Sequence, residues 1–173
     1  MKKILLAISG GIDSITAGYI LKKKNFKIIG IHFINSLEKN NFNYYKKNIQ
    51  KISSKLNIHI KIIDIKQEFK KNVINYFLKN YCEGKTPNPC IICNKKIKFG
   101  LLIKYAKILG INNIATGHYV KKIKNFLEIN VIKRNIDKKK DQSYFLSRLK
   151  SKQLINLIFP LGNMKKKTSK KNS

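Results

Sequence analysis

Apolar and polar positions change period several times along this chain, and the changes divide it into elements. Ile4-Leu5-Leu6-Ala7-Ile8 is an apolar run that stops at glycine, so Lys2–Ile8 reads as a buried strand. A glycine turn follows. A helix is predicted from about Ser14 to Lys24, and its closing Lys22-Lys23-Lys24 suits the negative end of a helix dipole. Lys27–Phe33, rich in Ile, is a second buried strand. A polar loop over Asn35–Asn43 leads to a helix ending near Leu56, and His59–Ile65 alternates as a third strand. The next helix places Phe69, Val73, Phe77 and Tyr81 on one face at four-residue spacing. Glu83–Pro89 is loop, marked by Gly84, Pro87 and Pro89. A helix over roughly Lys95–Leu109 and a short strand at Asn113–Thr116 complete an alternating series. Strands alternating with helices predict an α/β fold, a parallel sheet flanked by helices on both faces. Beyond His118 the pattern changes. Tyr119–Lys124 and Phe126–Ile132 read as a hairpin, Lys133–Lys140 as a basic loop and Gln142–Leu149 as a short helix. Lys165–Ser173, lysine- and serine-rich, reads as a tail that does not fold.

Composition adds bounds rather than an answer. The chain of 173 residues is one domain's worth of sequence. No apolar run approaches the roughly 18 residues of a membrane span. The first eight residues are too short for a signal peptide and run into glycine, not a small-residue cleavage site. Three cysteines make no disulfide framework in a chain this long, so a reducing, cytoplasmic location is expected. The net charge of +30 invites a nucleic-acid partner. That signal is discounted, because 36 Lys stand against 2 Arg, and 30 Ile against 3 Val. Lys, Ile and the 20 Asn use adenine- and thymine-rich codons, and a surface shaped for RNA alone would favour the forked guanidinium. The charge is compatible with RNA and proves nothing by itself.

Chemistry concentrates in two segments. Ser9-Gly10-Gly11-Ile12-Asp13-Ser14 falls at the carboxyl end of the first strand, where open α/β sheets bind ligands. Its glycines permit a tight turn with backbone N–H groups against an anion, Ser9 and Ser14 add hydroxyls, and the following helix offers its positive end to phosphate. Asp13 beside a phosphate site makes sense if it holds Mg²⁺ or orients the amides. The bland alternative is a turn that caps a helix. Two other nucleotide motifs fail: Gly84-Lys85-Thr86 lacks the upstream glycine of a Walker loop, where Lys79 stands, and no G-x-G-x-x-G follows a strand. The second segment is Thr86-Pro87-Asn88-Pro89-Cys90-Ile91-Ile92-Cys93-Asn94-Lys95. Its C-x-x-C is open to several readings: a redox pair, half a zinc site, an iron–sulfur site with Cys82, or two buried cysteines. The zinc reading lacks its other half, and a proline-rich loop precedes the pair where a redox motif would have a strand.

The first hexapeptide resembles the SGGxDS signature of ATP pyrophosphatases, which split ATP between the α and β phosphates. Thr86–Asn94 is similar to the TPNPxxxCN segment of tRNA-specific 2-thiouridylases. Further segments match that family in order: Lys95–Phe99, Ala115-Thr116-Gly117-His118-Tyr119, Lys140–Leu146 (KDQSYFL) and Phe159-Pro160-Leu161-Gly162. The resemblance covers residues 1 to about 164. It implies a Rossmann-like, adenine nucleotide alpha hydrolase-like PP-loop domain over 1–120, then the start of a tRNA-contacting extension over 121–164.

The family activates the C2 oxygen of a wobble uridine with ATP and replaces it with sulfur. The resemblance implies ATP and Mg²⁺ as cofactors, with Ser9, Gly10, Gly11, Ile12, Asp13 and Ser14 at the nucleotide, Phe33 at the adenine and Gly117 leaving room for the nucleotide's close approach. Asn88, Pro89 and Cys90 would hold the flipped target base, and Lys140, Asp141 and Gln142 would contact tRNA. Without the family, an Asp before a helix is an ordinary cap. Cys93 matches the catalytic cysteine, with Cys90 and Asp13 as further catalytic candidates. Its place at the start of the Lys95 helix, near Lys95 and Lys96, is expected to favour the thiolate. His118 has no evident role as a base. Many members carry Asp where Cys90 stands. Partners implied are the Lys, Glu and Gln tRNAs and a sulfur carrier that delivers persulfide to a second cysteine. That cysteine lies well downstream in the family, so the chain is expected to be C-terminally truncated. Three readings stay open: an active shortened enzyme using Cys90 or Cys82 instead, half of a split enzyme completed by a separate C-terminal chain, or a non-catalytic remnant that binds ATP or tRNA.

Overall fold

The strand β1 (Lys3–Ala7) has neighbours on both edges, and its side chains alternate between two cores. The computed structural model describes residues 1–35 and 42–166. In chain order β1 is followed by α1 (Ile12–Lys23), β2 (Lys27–Ile34), α2 (Phe42–Leu56) and β3 (Ile60–Asp64). A long helical stretch then runs through α3 (Lys66–Phe69), a π turn (Lys70–Ile74) and α4 (Asn75–Cys82). A second stretch comprises α5 (Pro89–Ile92), a π turn (Cys93–Lys98) and α6 (Phe99–Ile108). After β4 (Asn113–Ala115) come the hairpin β5 (Val120–Lys124) and β6 (Asn130–Arg134), then α7 (Ser151–Leu154) and β7 (Leu157–Ile158).

Five strands pair in the order β3-β2-β1-β4-β7, all parallel, as the alternating pattern predicts. On one face Leu5 packs with Phe99, Leu102, Leu146, Leu154 and Leu157; on the other Ile4 and Leu6 pack with Ala17, Leu21, Ile49 and Leu56. Each of the Leu, Ile and Phe side chains, removed from water, contributes roughly 1.5–3 kcal/mol. Among the described residues no helix is long and apolar enough to cross a membrane.

Several expectations are corrected. The residue-120 boundary is not a boundary of the sheet, because Leu157–Ile158 returns to pair with β4 and Leu146 and Leu154 lie in the main core. The helix expected over Gln142–Leu149 shrinks to one 3₁₀ turn, Tyr144–Leu146. Asp141 ends its formation by tying down Asn135 and Ser143. The helix expected from Lys95 begins six residues earlier, because Asn88 caps it, accepting from the Cys90 N–H at 3.1 Å, and Pro89 suits the first helical position. The Phe69–Tyr81 stripe does not hold one face. The π turn shifts the register, so Val73 is buried whereas Phe77 and Tyr81 stack on each other at the surface, 5.8 Å between centroids. The hairpin turn is wider than expected, with Asn125 bonding to Leu127 and Ile129 between the strands. The polar loop expected over Asn35–Asn43 lies largely outside the described residues. Of the tail expected from Lys165, Lys166 is tied down, its N–H donating to Asp137 Oδ2 at 3.0 Å.

The core makes a contrast that unfolding can check. Phe99, fully buried between His118 and Phe159, is expected to cost about 3–5 kcal/mol when changed to Ala. Leu78→Ala, at a half-exposed position, is expected to stay within about 0.5 kcal/mol in the same urea titration.

Candidate functional site

The strand order places the exits of β1 and β4 side by side, with the chain leaving them toward opposite ends of the sheet, which opens a crevice at their carboxyl ends. The loop after β1 fills its floor. Gly10 adopts φ +87°, which glycine takes without cost. Ser14, buried, clasps the loop: its Oγ donates to the Gly11 carbonyl at 2.8 Å and accepts the Ser9 N–H at 3.2 Å. Gly11 is the N-cap of α1 and no side chain caps that end, so the turn is not the plain capping turn of the bland reading. The first-turn amides of α1 remain suited to an anion.

The other wall comes from β4. Gly117 lies so close to α1 that a Cβ there would sit 2.8 Å from the Asp13 carbonyl carbon and the Ser14 nitrogen. Its missing side chain thus serves contact with the loop itself. The fully buried Tyr119 donates its hydroxyl to Asp13 Oδ1 at 2.9 Å, and its own N–H donates to Gln142 Oε1 at 3.0 Å. Lys166 pairs with Asp13 Oδ1 and lies 5.6 Å over the Tyr119 ring. His118 packs on Phe99 and shares a hydrogen bond with the Thr116 hydroxyl at 2.8 Å. Burial, helped by the Lys98 charge, pushes its pKa down to about 3, so the ring is neutral. His32 bonds the Ile8 carbonyl through Nδ1 at 2.7 Å, which makes Nδ1 the protonated nitrogen. Burial lowers its pKa against that bond.

These walls enclose a cavity of about 400 Å³. Of the sequence-derived candidates it gathers Ser9, Asp13, Ser14, Phe33, Gly117, Gln142 and Cys93. Gly10, Gly11 and Ile12 complete the loop beside it without lining it. A second cavity of about 330 Å³ lies beyond the same helix, and Asn88 lines it with Tyr76, Lys85, Tyr144 and Arg148. Pro89, Cys90, Lys140 and Asp141 line neither cavity. Cys90 and Lys140 are exposed. Asp141 does what an ordinary turn residue does, accepting from the Ser143 hydroxyl at 2.6 Å and from the Asn135 and Ser143 amides. Burial raises its pKa, but those bonds and Arg134 outweigh it and hold the carboxyl below its usual range.

The expectation for Cys93 needs correction. Because the helix starts at Pro89, Cys93 sits a turn inside it and has no helix N-terminus of its own. It is half-buried against Ile65, Val73 and Ile97. Burial pushes its thiol above the usual range, Lys98 opposes that, and Cys90 adds to it. Reasoning from sequence missed Tyr119, Lys166 and Lys98 as members of this site. For Lys98 and Tyr119 the signal was their place inside two matched segments, whereas Lys166 carried none. Among the described residues no group of three His, Cys, Asp or Glu side chains could hold a metal ion.

The family model described as the tRNA methyl transferase HUP domain matches residues 2–173. The tRNA-specific 2-thiouridylase MnmA of Petrotoga mobilis is 44% identical over 178 residues, covering 95% of this chain and 48% of that protein. The same-named protein of Campylobacter jejuni (strain RM1221) is 44% identical over 169 residues, covering 98% and 48%. That of Helicobacter pylori (strain G27) is 39% identical over 168 residues, covering 97% and 49%. The chain therefore spans about half the length of the curated relatives it matches. A solved predicted subunit of tRNA methyltransferase from Methanocaldococcus jannaschii superposes with a TM-score of 0.61 at 18% identity, over 99% of this chain and 75% of that one. At that identity the likeness speaks to the fold alone. With the family match running through residues 2–173, over the parallel sheet, the glycine loop and the cysteine helix alike, this chain belongs to the tRNA methyl transferase HUP domain family.

Proposed function

We propose that the chain carries the ATP-binding and sulfur-handling part of a tRNA 2-thiouridylase. The observation that supports this most directly is that Ser9, Asp13 and Ser14 of the glycine loop line one cavity with Cys93, which is 79 residues beyond Ser14 in sequence. In this reading ATP lies along the β1–β4 crevice, its adenine toward Phe33 and its phosphates on the loop amides and the Ser9 hydroxyl. The C2 oxygen of a wobble uridine attacks the α-phosphorus and pyrophosphate leaves. The Cys93 thiolate attacks the inner sulfur of the delivered cysteine persulfide, forming a disulfide and expelling hydrosulfide, which adds to C2 as AMP departs with the oxygen.

Asp13 and the serine hydroxyls are hard oxygen donors of the kind Mg²⁺ takes, and the Lys166 ammonium already stands at Asp13, so the position accepts a cation. Mg²⁺ held there by Asp13 and the phosphates would neutralise charge on the departing pyrophosphate. Tyr119 and Gln142 keep Asp13 in place. On the tRNA side, Asn88 with Pro89 and Cys90 begins the helix that carries Cys93, and the second cavity sets Tyr144 and Arg148 beside it. An aromatic ring and a guanidinium suit an unstacked anticodon nucleotide. Lys140 adds charge nearby, whereas Asp141 and Gln142 shape the turn that presents it. The tRNAs expected are those for Lys, Glu and Gln, and the sulfur comes from a carrier protein.

Single-turnover formation of 2-thiouridine on unmodified tRNA, with ATP, Mg²⁺ and a low-molecular-weight persulfide as the sulfur source, tests the reading. Product is expected from the parent and is expected to fall at least about 100-fold in Cys93→Ser and in Asp13→Ala. Product that persists in Cys93→Ser would sink the role of that sulfur. ATP binding without thiolation would favour a non-catalytic remnant or half of a split enzyme. Calorimetry separates the two parts of the cavity: Cys93→Ser is expected to bind ATP within about twofold of the parent. Gly117→Ala, whose Cβ would press on the Asp13–Ser14 peptide, is expected to weaken ATP binding about tenfold or more.

A further inference from the structure

We infer that Lys98 is the positioning cation for Cys93: the π turn between them brings both side chains to one wall of the nucleotide cavity, where the ammonium favours the sulfur as thiolate. This rests on the reading of Cys93 as the sulfur-handling residue.

The register carries the argument. At the 100° per residue of a regular α-helix, a residue five positions on lies about 140° round the cylinder and faces elsewhere. Residues Cys93–Lys98 are wound as a π turn, whose bonds run from i to i+5 and bring the fifth residue back over the first. Cys93 and Lys98 accordingly line the same cavity, although Lys98 reaches it from an exposed position. Such turns inside helices occur often at functional sites, because a regular helix is cheaper wherever nothing requires the change.

The surroundings leave Lys98 to supply the positive charge. Among the described residues lining the cavity it is the one Lys or Arg. His118, facing from beyond β4, is neutral, as is His32 on β2 at ordinary pH. Asp13, across the cavity, is paired with Lys166. Tyr45 of α2 also faces the cavity, and Cys90 lies one turn away on the same helix. The α3 and π-turn side presents Phe69 and Val73, which are apolar. Burial of Cys93 works against ionisation, and Lys98 is the group that works for it. A cation beside an attacking thiolate loses little by being partly exposed, since it also has to accept the charge of an approaching phosphate.

Alkylation of Cys93 by iodoacetamide, followed against pH in a Cys82→Ser, Cys90→Ser background, tests this without requiring tRNA or turnover. Lys98→Met is expected to slow alkylation at pH 8 about threefold or more, with both proteins converging at high pH where the thiol is fully ionised. Lys98→Arg is expected to restore the rate, and Lys96→Met, outside the cavity, to leave it unchanged. At 1 M salt, where the Debye length is about 3 Å, the difference is expected to shrink. Circular dichroism confirms that each variant is folded. Superimposable profiles for folded Lys98→Met and its parent would overturn the inference. The same outcome would leave Cys93 free to act in thiolation, whereas loss of thiolation's dependence on Cys93 would remove the underlying reading and leave the alkylation profiles standing.

Discussion

The constraint on which the crevice depends is the contact between Gly117 and the Asp13–Ser14 peptide. It locks the end of β4 against the first turn of α1, and so fixes the width of the crevice between the two central strands. The neighbouring residues exploit that closeness. Tyr119, two positions on, reaches Asp13 with its hydroxyl and Gln142 with its amide, so the loop after β1, the exit of β4 and the turn at Asp141–Ser143 form one bonded unit. A side chain at 117 would separate them all.

The same compactness creates a chemical difficulty at Cys93. The role proposed for Cys93 calls for a thiolate, yet the wall that shields the cavity from water disfavours charge. In that reading Lys98, brought round by the helical register, offsets the penalty without opening the site. Neutral His118 shows the same pressure acting on a base that has no compensating anion beside it. Burial thus sorts the titratable groups of the crevice: the histidines lose their protons, and the charged residues that persist are those with partners or with access to solvent.

How much of this was legible in the sequence depends on whether the physics was local. The parallel sheet was readable because Ile4–Ile8 and Lys27–Phe33 are apolar on both faces and bounded by glycine or lysine, which only a strand buried on two sides requires. The glycine turn after β1 was readable because it lies in backbone conformation, and Gly10, at φ +87°, and Gly11 declare it. The two π turns were not, since a residue inserted into a helix leaves the composition of the helix intact and alters only which side chains share a face. That one blind spot explains both the misplaced Phe77–Tyr81 stripe and the missed place of Lys98 on the cavity wall. The start of the cysteine helix was misjudged because Asn88-Pro89 was read as loop, when Asn followed by Pro is equally a cap and first turn. Leu157–Ile158 was invisible as a strand, being two residues long and defined wholly by its neighbour β4.

The ion pair between Lys166 and Asp13 joins residues 153 positions apart, and Asp137 anchors the lysine's backbone from a third place in the chain. A site closed by so distant a contact is assembled last. The central strands and the first helix can form as soon as their own residues are available, but the charge environment of the glycine loop is complete only once the segment near residue 166 has docked. That segment can therefore undock while the sheet stays folded, leaving the glycine loop without its lysine partner.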